Sequence, residues 1–428
     1  MKCLFSVMLL SLAGSLSDVE PSDKAAKAVE KLGGTMMRDN NAPGVPVVAV
    51  NLRSLDIDDP DLKDLAGLKD IRELDLSYTQ ITDSGLKELA SLTSLRTLEL
   101  EGTKITNKGL VTLAPLKNLQ SLNLQDTDVK DGLFKEASVL SGLRTLNLME
   151  TRLTEGELKE LSVLKKLQTL NIMGIYVTDT GLKCVAGLKN LQALYLSGSC
   201  ITPTGIKELM ELQKLQTLGL RGSSFTDMTF QNLVRIKSLE ILDLSGAHVS
   251  DEDLKNLADF KMLRGLDLSY TKVTDKGLKE LGMFSSLQKL VLSDTEVSNA
   301  GLRELTGLKD LQTLGLSGTH VTGKGLKILA EIQSLQDLNL GGTDIADMDM
   351  RELAKIKNLR HLRLNETSIT DEGLKALVGL KNLQVLRIGE TQVTDKGLRA
   401  YPDNPKTLYK RPVFPPKWHP AGGYPDRL

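Results

Sequence analysis

The sequence predicts an α/β solenoid, a stack of strand, turn and helix coils with a cap at one end and an irregular tail at the other. Two observations carry this reading. Leu or Ile recurs every 24 residues, at Ile71, Leu95, Leu119, Leu143, Leu167, Leu191 and Leu215 and on through Leu383, and a fixed period of that length marks a repeat architecture. Within each period the apolar rhythm then changes from two residues to three, so each repeat holds one strand and one helical turn. Counting back to Val47 gives about fifteen units over residues 47–401, without insertion or deletion.

One unit reads IRELDLSYTQITDSGLKELASLTS from Ile71. Leu74 and Leu76 alternate with Glu73, Asp75 and Ser77, as in a half-buried strand, and Leu86, Leu89 and Leu92 stand three apart on one face of a convex helix. Thr82-Asp83 recurs as Thr178-Asp179, Thr274-Asp275, Thr370-Asp371 and Thr394-Asp395, but one unit has Thr202-Pro203. Proline fits the first helical position, which makes the preceding Thr the N-cap and the usual Asp a first-turn carboxylate favoured by the helix dipole. One carboxylate per coil cannot give calcium its six oxygens, so these Asp residues are structural. The Thr79 position is Thr in ten units; it reads as a buried hydroxyl column satisfying backbone groups of the neighbouring coil. The Gly of Gly85-Leu86 is replaced at Asp61, Leu133, Glu157, Thr229, Asp253 and Asp349, so those positions do not need a left-handed backbone.

The pattern LxxLxLxxTxITDxGLxxLxxLxx resembles the leucine-rich-repeat family over about Val47 to Tyr401. Its ITDxGL segment is similar to the repeats of F-box substrate receptors and of secreted bacterial paralogues. The resemblance implies a horseshoe with a parallel sheet on the concave side and short helices on the convex side. Thr stands where the commonest family pattern has Asn, so the asparagine ladder is not carried over. Such scaffolds host many partners, so the resemblance speaks for fold and not for function.

The flanks complete the organisation. Residues 1–17 run from Lys2 through the apolar Cys3 to Leu12 to small residues before Asp18, the layout of a signal peptide and too short to span a membrane. Residues 18–46 read as an N-terminal cap: a helix from Ser22 to Leu32 stopped by Gly33-Gly34, with Ala25, Val29 and Leu32 on one face, and a short strand over Thr35 to Arg38. Residues 402–428 hold seven prolines and the sole Trp, Trp418. This tail either lies over the exposed end of the last repeat or serves as a proline-rich ligand for another domain.

Composition narrows the function. The 54 Lys and Arg nearly cancel the 55 Asp and Glu, which removes the field that would draw nucleic acid or an anionic membrane. Four His and three Cys, none at metal-ligand spacing, leave no expected metal, cofactor or catalytic residue. Cys184, on a convex helix, and Cys200, just after a strand, are expected to stay reduced. Asn365-Glu366-Thr367 matches a glycosylation sequon, a chance match in so Thr-rich a repeat.

The candidate site is the concave face. Glu73, Asp75, Glu99 and Glu101 give it an acidic early end; Tyr195, Arg221, Asp243 and Asp267 form a central group beside Asn147, Met149, Asn171 and Met173; His361, Arg363 and Arg387 give a basic late end. The early carboxylates are expected to repel one another and raise a pKa, unless Arg72 and Arg96 neutralise them. The resulting expectation is a non-enzymatic, exported, monomeric scaffold (extracellular, periplasmic or in the envelope) that binds a protein, possibly basic, or a glycan. If the leader is not a signal peptide, the chain is cytoplasmic, and the alternative is an F-box-like adaptor; residues 18–46 are too short to hold an F-box.

Overall fold

The structure, a computed structural model, describes residues 21–133, 140–225, 227–257, 259–400 and 407–409. The leader, Trp418 and the tail beyond Tyr409 lie outside the described residues. Seventeen strands join in one sheet. After helix α1 (Pro21–Lys31), β1 (Thr35–Arg38) turns back antiparallel onto β2 (Val47–Asn51). Parallel strands follow, one per coil: β3 (Glu73–Asp75), β4 (Thr97–Glu99), β5 (Ser121–Asn123), β6 (Thr145–Asn147), β7 (Thr169–Asn171), β8 (Ala193–Ser197) and β9 (Thr217–Arg221). The stack continues through β10 (Ile241–Asp243), β11 (Gly265–Asp267), β12 (Lys289–Val291), β13 (Thr313–Gly315), β14 (Asp337–Asn339), β15 (His361–Arg363) and β16 (Val385–Arg387). β17 (Thr407–Tyr409) adds a last parallel strand beside β16.

The register steps by one repeat each time, Leu74 facing Leu98 and Leu98 facing Leu122, so the leucines stack into a continuous core. Ala25 and Val29 of α1 are fully buried at its open end. Opposite the sheet, several coils carry a 3₁₀ rather than an α segment, as at Glu155–Val163 and Gly301–Gly307. The spacing of Leu86, Leu89 and Leu92 explains this, because three residues per turn is the 3₁₀ period. Thr82, Thr106, Thr178, Thr202, Thr274 and Thr370 cap their helices by accepting the N–H two residues on.

Three repeated contacts differ from the sequence expectation. The Thr79 column does not bridge coils. Each hydroxyl donates to the carbonyl three residues back in its own coil, Thr79 to Leu76 and Thr103 to Leu100 at 2.6 and 2.5 Å, and so closes the turn after the strand. The bridging group is the Asp instead: Asp59 accepts the N–H and the hydroxyl of Thr82 at 2.7 and 2.6 Å, and Asp83 accepts the same pair from Thr106 at 2.8 and 2.6 Å. The clamp repeats from Asp131, Glu155, Asp179, Asp251, Asp275, Asp347 and Asp371. Bonds from Thr394 hold the Asp371 carboxyl below the ordinary carboxylate value.

The Gly of Gly85-Leu86 follows from that clamp. A Cβ on Gly85 would lie 2.5 Å from Asp59 Oδ1, and on Gly205 2.3 Å from Asp179 Oδ1. The left-handed residue sits elsewhere, at the Tyr78 position: all fifteen coils have positive φ there, seven through Gly and eight through residues such as Tyr78 (57°), Glu150 (56°) and Asp294 (54°).

Two outcomes check these contacts. Gly222 has φ 63° and open space around a would-be Cβ, its nearest neighbour being Gly198 N at 3.8 Å, so Gly222→Ala should cost about 1 kcal/mol from conformation alone in a denaturant titration. Asp59→Ala should lose about 1–2 kcal/mol by freeing the Thr82 N–H and hydroxyl. Gly85→Ala should be destabilising in the native background and much less so with Asp59→Ala; additive losses would mean that the carboxylate is not what the glycine makes room for.

Candidate functional site on the concave face

The side chains flanking the central Leu of each strand point away from the core and form rows across the sheet. In the row through Asp75 a local rule governs most positions. Asn51, Asp75, Asn123, Asn147, Asn171, Asp243, Asp267 and Asn339 each use Oδ1 to accept the backbone N–H two residues on, at 2.8–3.1 Å. These are Asx turns, which bend the chain out of the strand. The Asp side chains read as partner-facing carboxylates therefore each commit one oxygen to their own backbone.

The early carboxylates gather around Arg53, which sequence reasoning had passed over. Its guanidinium lies 3.0 Å from Glu101 and 3.9 Å from Asp75, and stacks 4.8 Å from the centre of the Tyr78 ring. Tyr78 donates its hydroxyl to Glu101. Glu101 is only 1% exposed, so it is not available to a partner as the sequence suggested. Arg72 turns instead to Asp39. Glu73 is exposed at the strand edge. Burial pushes Glu99 from 4.5 to about 7, against a hydrogen bond from Asn123, with Asp75 and Glu101 adding to the rise; burial likewise raises Glu101. Repulsion between carboxylates is thus the lesser cause of the upward shift.

Farther along, Tyr195 is 7% exposed. Gly219 faces it on the next strand, and a Cβ there would meet the ring at 2.9 Å; the aromatic fills a gap in the sheet face and does not project as an anchor. His361 binds Asp337 on the adjacent strand through Nδ1.

Five of the sequence candidates do converge. Arg221, Asp243, Asp267, Arg363 and Arg387 line one trough of about 300 Å³ running from β9 to β16. Lys289, Asn339 and Asn365 join them, and the floor between is Val291, Ser293 and Ser317. Lys289 went unnoticed although it occupies the same row as His361, three repeats earlier. Burial pushes Asp267 up to about 6, with Asp243 alongside adding to the rise and two Ser269 hydrogen bonds opposing it. Burial also lowers Lys289, against the attraction of Asp267. Among the described residues no group of His, Cys, Asp and Glu could hold a metal ion, and no helix is long and apolar enough to cross a membrane.

The early cluster makes stability depend on pH. Between 4.5 and about 7 the folded chain keeps a proton on Glu99 that the unfolded chain releases, so stability is greatest at the acid end of this window and falls as pH rises through it. Glu99→Gln should flatten that fall, with denaturant midpoints at pH 5 and pH 8 drawing together. Midpoints as far apart as in the native chain would remove Glu99 from the account.

Comparison with known proteins agrees with this geometry. The leucine-rich-repeat profile matches residues 68–90, 91–114, 187–210, 236–258, 261–282 and 355–378. No curated protein sequence matches the chain. Among solved structures, TLR13 in its complex with ssRNA13 is similar at 18% identity and TM-score 0.53, covering 85% of this chain and 63% of its own. An internalin of Listeria monocytogenes is similar at 20% identity and TM-score 0.44, covering 86% and 94%. A leucine-rich-repeat protein of Leptospira interrogans reaches 25% identity and TM-score 0.44 over 79% and 96%. With six repeats matched by the profile and an unbroken parallel stack of one strand per coil, the chain is a leucine-rich-repeat protein.

Proposed function

We propose that the chain is a non-enzymatic, exported scaffold that recognises a protein partner across its concave face. The observation that carries this is the trough, to which eight successive strands from β9 to β16 bring charged and polar groups on one side of a continuous sheet. The non-enzymatic reading is supported by the carboxylates themselves, since Asp243 and Asp267 each accept a backbone N–H of their own turn. Export rests on the leader at residues 1–17. The net charge of −1 argues against a polyanion such as the single-stranded RNA of the TLR13 complex.

A photo-crosslinking residue decides which face is used. Ile241 is 46% exposed on β10, whereas Lys207 and Lys279 lie on the convex helices Pro203–Leu209 and Asp275–Leu281. In the native extracellular or envelope fraction, the probe at Ile241 should capture a protein that probes at Lys207 and Lys279 do not. Capture from the convex positions alone would overturn the concave assignment.

A further inference from the structure

We infer that the late end of the trough binds an acidic side chain of an extended peptide segment, held by Arg363 and Arg387 with the Asn365 amide. This deepens the concave-face reading and rests on it, naming the chemistry of the partner's docking segment.

The row rule singles out these two arginines. The fold asks this row for one acceptor per coil, and Asn supplies it as well as Asp, as Asn123, Asn147, Asn171 and Asn339 show. Arg363 and Arg387 give up that acceptor. At Arg387 the loss is made good from the coil before, where Asn365 Oδ1 accepts the Gly389 N–H at 2.8 Å. With its oxygen committed, the Asn365 side chain faces the trough as a donor.

The two cations are direct partners in register on adjacent parallel strands, which sets them about 4.8 Å apart. Like charges so placed destabilise a strand pair, and both are half-buried in the trough. A carboxylate between two guanidinium groups relieves that repulsion with paired N–H···O bonds.

The rest of the face points the same way. The early carboxylates that would favour a basic partner are drawn together by Arg53. Asp243 and Asp267 stand beside Arg221 and Lys289 in the trough, whereas β15 and β16 contribute only Arg363, Asn365 and Arg387 to its lining. Length favours a peptide over a small anion. From β9 to β16 the trough crosses seven strand intervals, roughly 34 Å, room for about ten extended residues, and its Ser and Asn side chains suit peptide amides.

The test uses the full chain and three fluorescent hexapeptides, acetylated and amidated, that differ only in a central Glu-Glu, Gln-Gln or Lys-Lys pair. Fluorescence anisotropy should show the Glu peptide binding about tenfold tighter than the Gln peptide, with the advantage shrinking at high salt. Arg363→Gln with Arg387→Gln should abolish that advantage. Asp243→Asn with Asp267→Asn should keep it, because Asn preserves the turn contact. Equal affinities for the three peptides, or preference for Lys, overturns the inference; if the arginine variant does not fold, the native chain's Glu-to-Gln ratio at two salt concentrations decides alone. Continued capture from Ile241 alongside such a result would leave the scaffold standing and remove only the acidic segment.

Discussion

A coil of this solenoid cannot close by itself, because the N–H groups at the start of each helical segment have no partner within their own turn. The clamp supplies one from the coil before: Asp59 to Thr82, Asp83 to Thr106, Asp275 to Ser298. Because the link spans 23 residues each time, a coil of different length would leave both a carboxylate and an N–H without their partners. The constancy of the 24-residue period follows from that contact as much as from leucine packing. Three coils use the other available solution. Where Asp replaces the glycine, at Asp61, Asp253 and Asp349, it reaches back within its own coil to the N–H of Asp58, Ser250 and Ala346. Gly323 fits this scheme: the position that would carry the clamping Asp has no side chain, and a Cβ there would fall 1.8 Å from Asp349 Oδ1. The carboxylate comes from one coil or the other.

The same economy of backbone groups shapes the concave face. The strands are mostly three residues long, and an Asn or Asp at the end of most of them turns the chain away from the sheet. Polar side chains on this face are therefore first of all turn-formers. Departures from that role are the informative positions: Glu99, Tyr195, Gly219, Val291, Gly315, Arg363 and Arg387. Tyr195 and Gly219 compensate each other as a large and small pair. The two arginines have their compensation in Asn365 for one coil.

Architecture was legible in the sequence because it is periodic. The alternation around Leu74 and Leu76 and the proline at Pro203 located the strands and caps that the structure contains. The roles of Thr79, Asp83 and Gly85 were misassigned for one reason: in a perfect repeat, a contact within a coil and one to the next coil leave the same trace in sequence. The left-handed turn at the Tyr78 position was hidden because eight of fifteen coils place a residue other than glycine there. Among the candidate residues, Arg221, Asp243, Asp267, Arg363 and Arg387 meet in one trough, while Glu101 and Tyr195 are buried. Burial could not be read from alternation, since the row through Ser77 and Glu101 lies at the turn and not on the open sheet.

The gradient of charge along the sequence, acidic early and basic late, is real as a list of residues and misleading as a field. Arg53 belongs to the first coil, one row over from the carboxylates, and its guanidinium reaches across two coils to Glu101 while Asp75 lies within 4 Å. A half-buried arginine so placed cancels much of the charge that an exposed partner would feel, and burial lets Glu99 keep its proton up to about 7. The basic end keeps its character because its two arginines come from equivalent positions of successive coils and so repel each other. In a repeat protein, charge that alternates between rows is absorbed by the fold, and charge that repeats within a row is carried outward to whatever docks there.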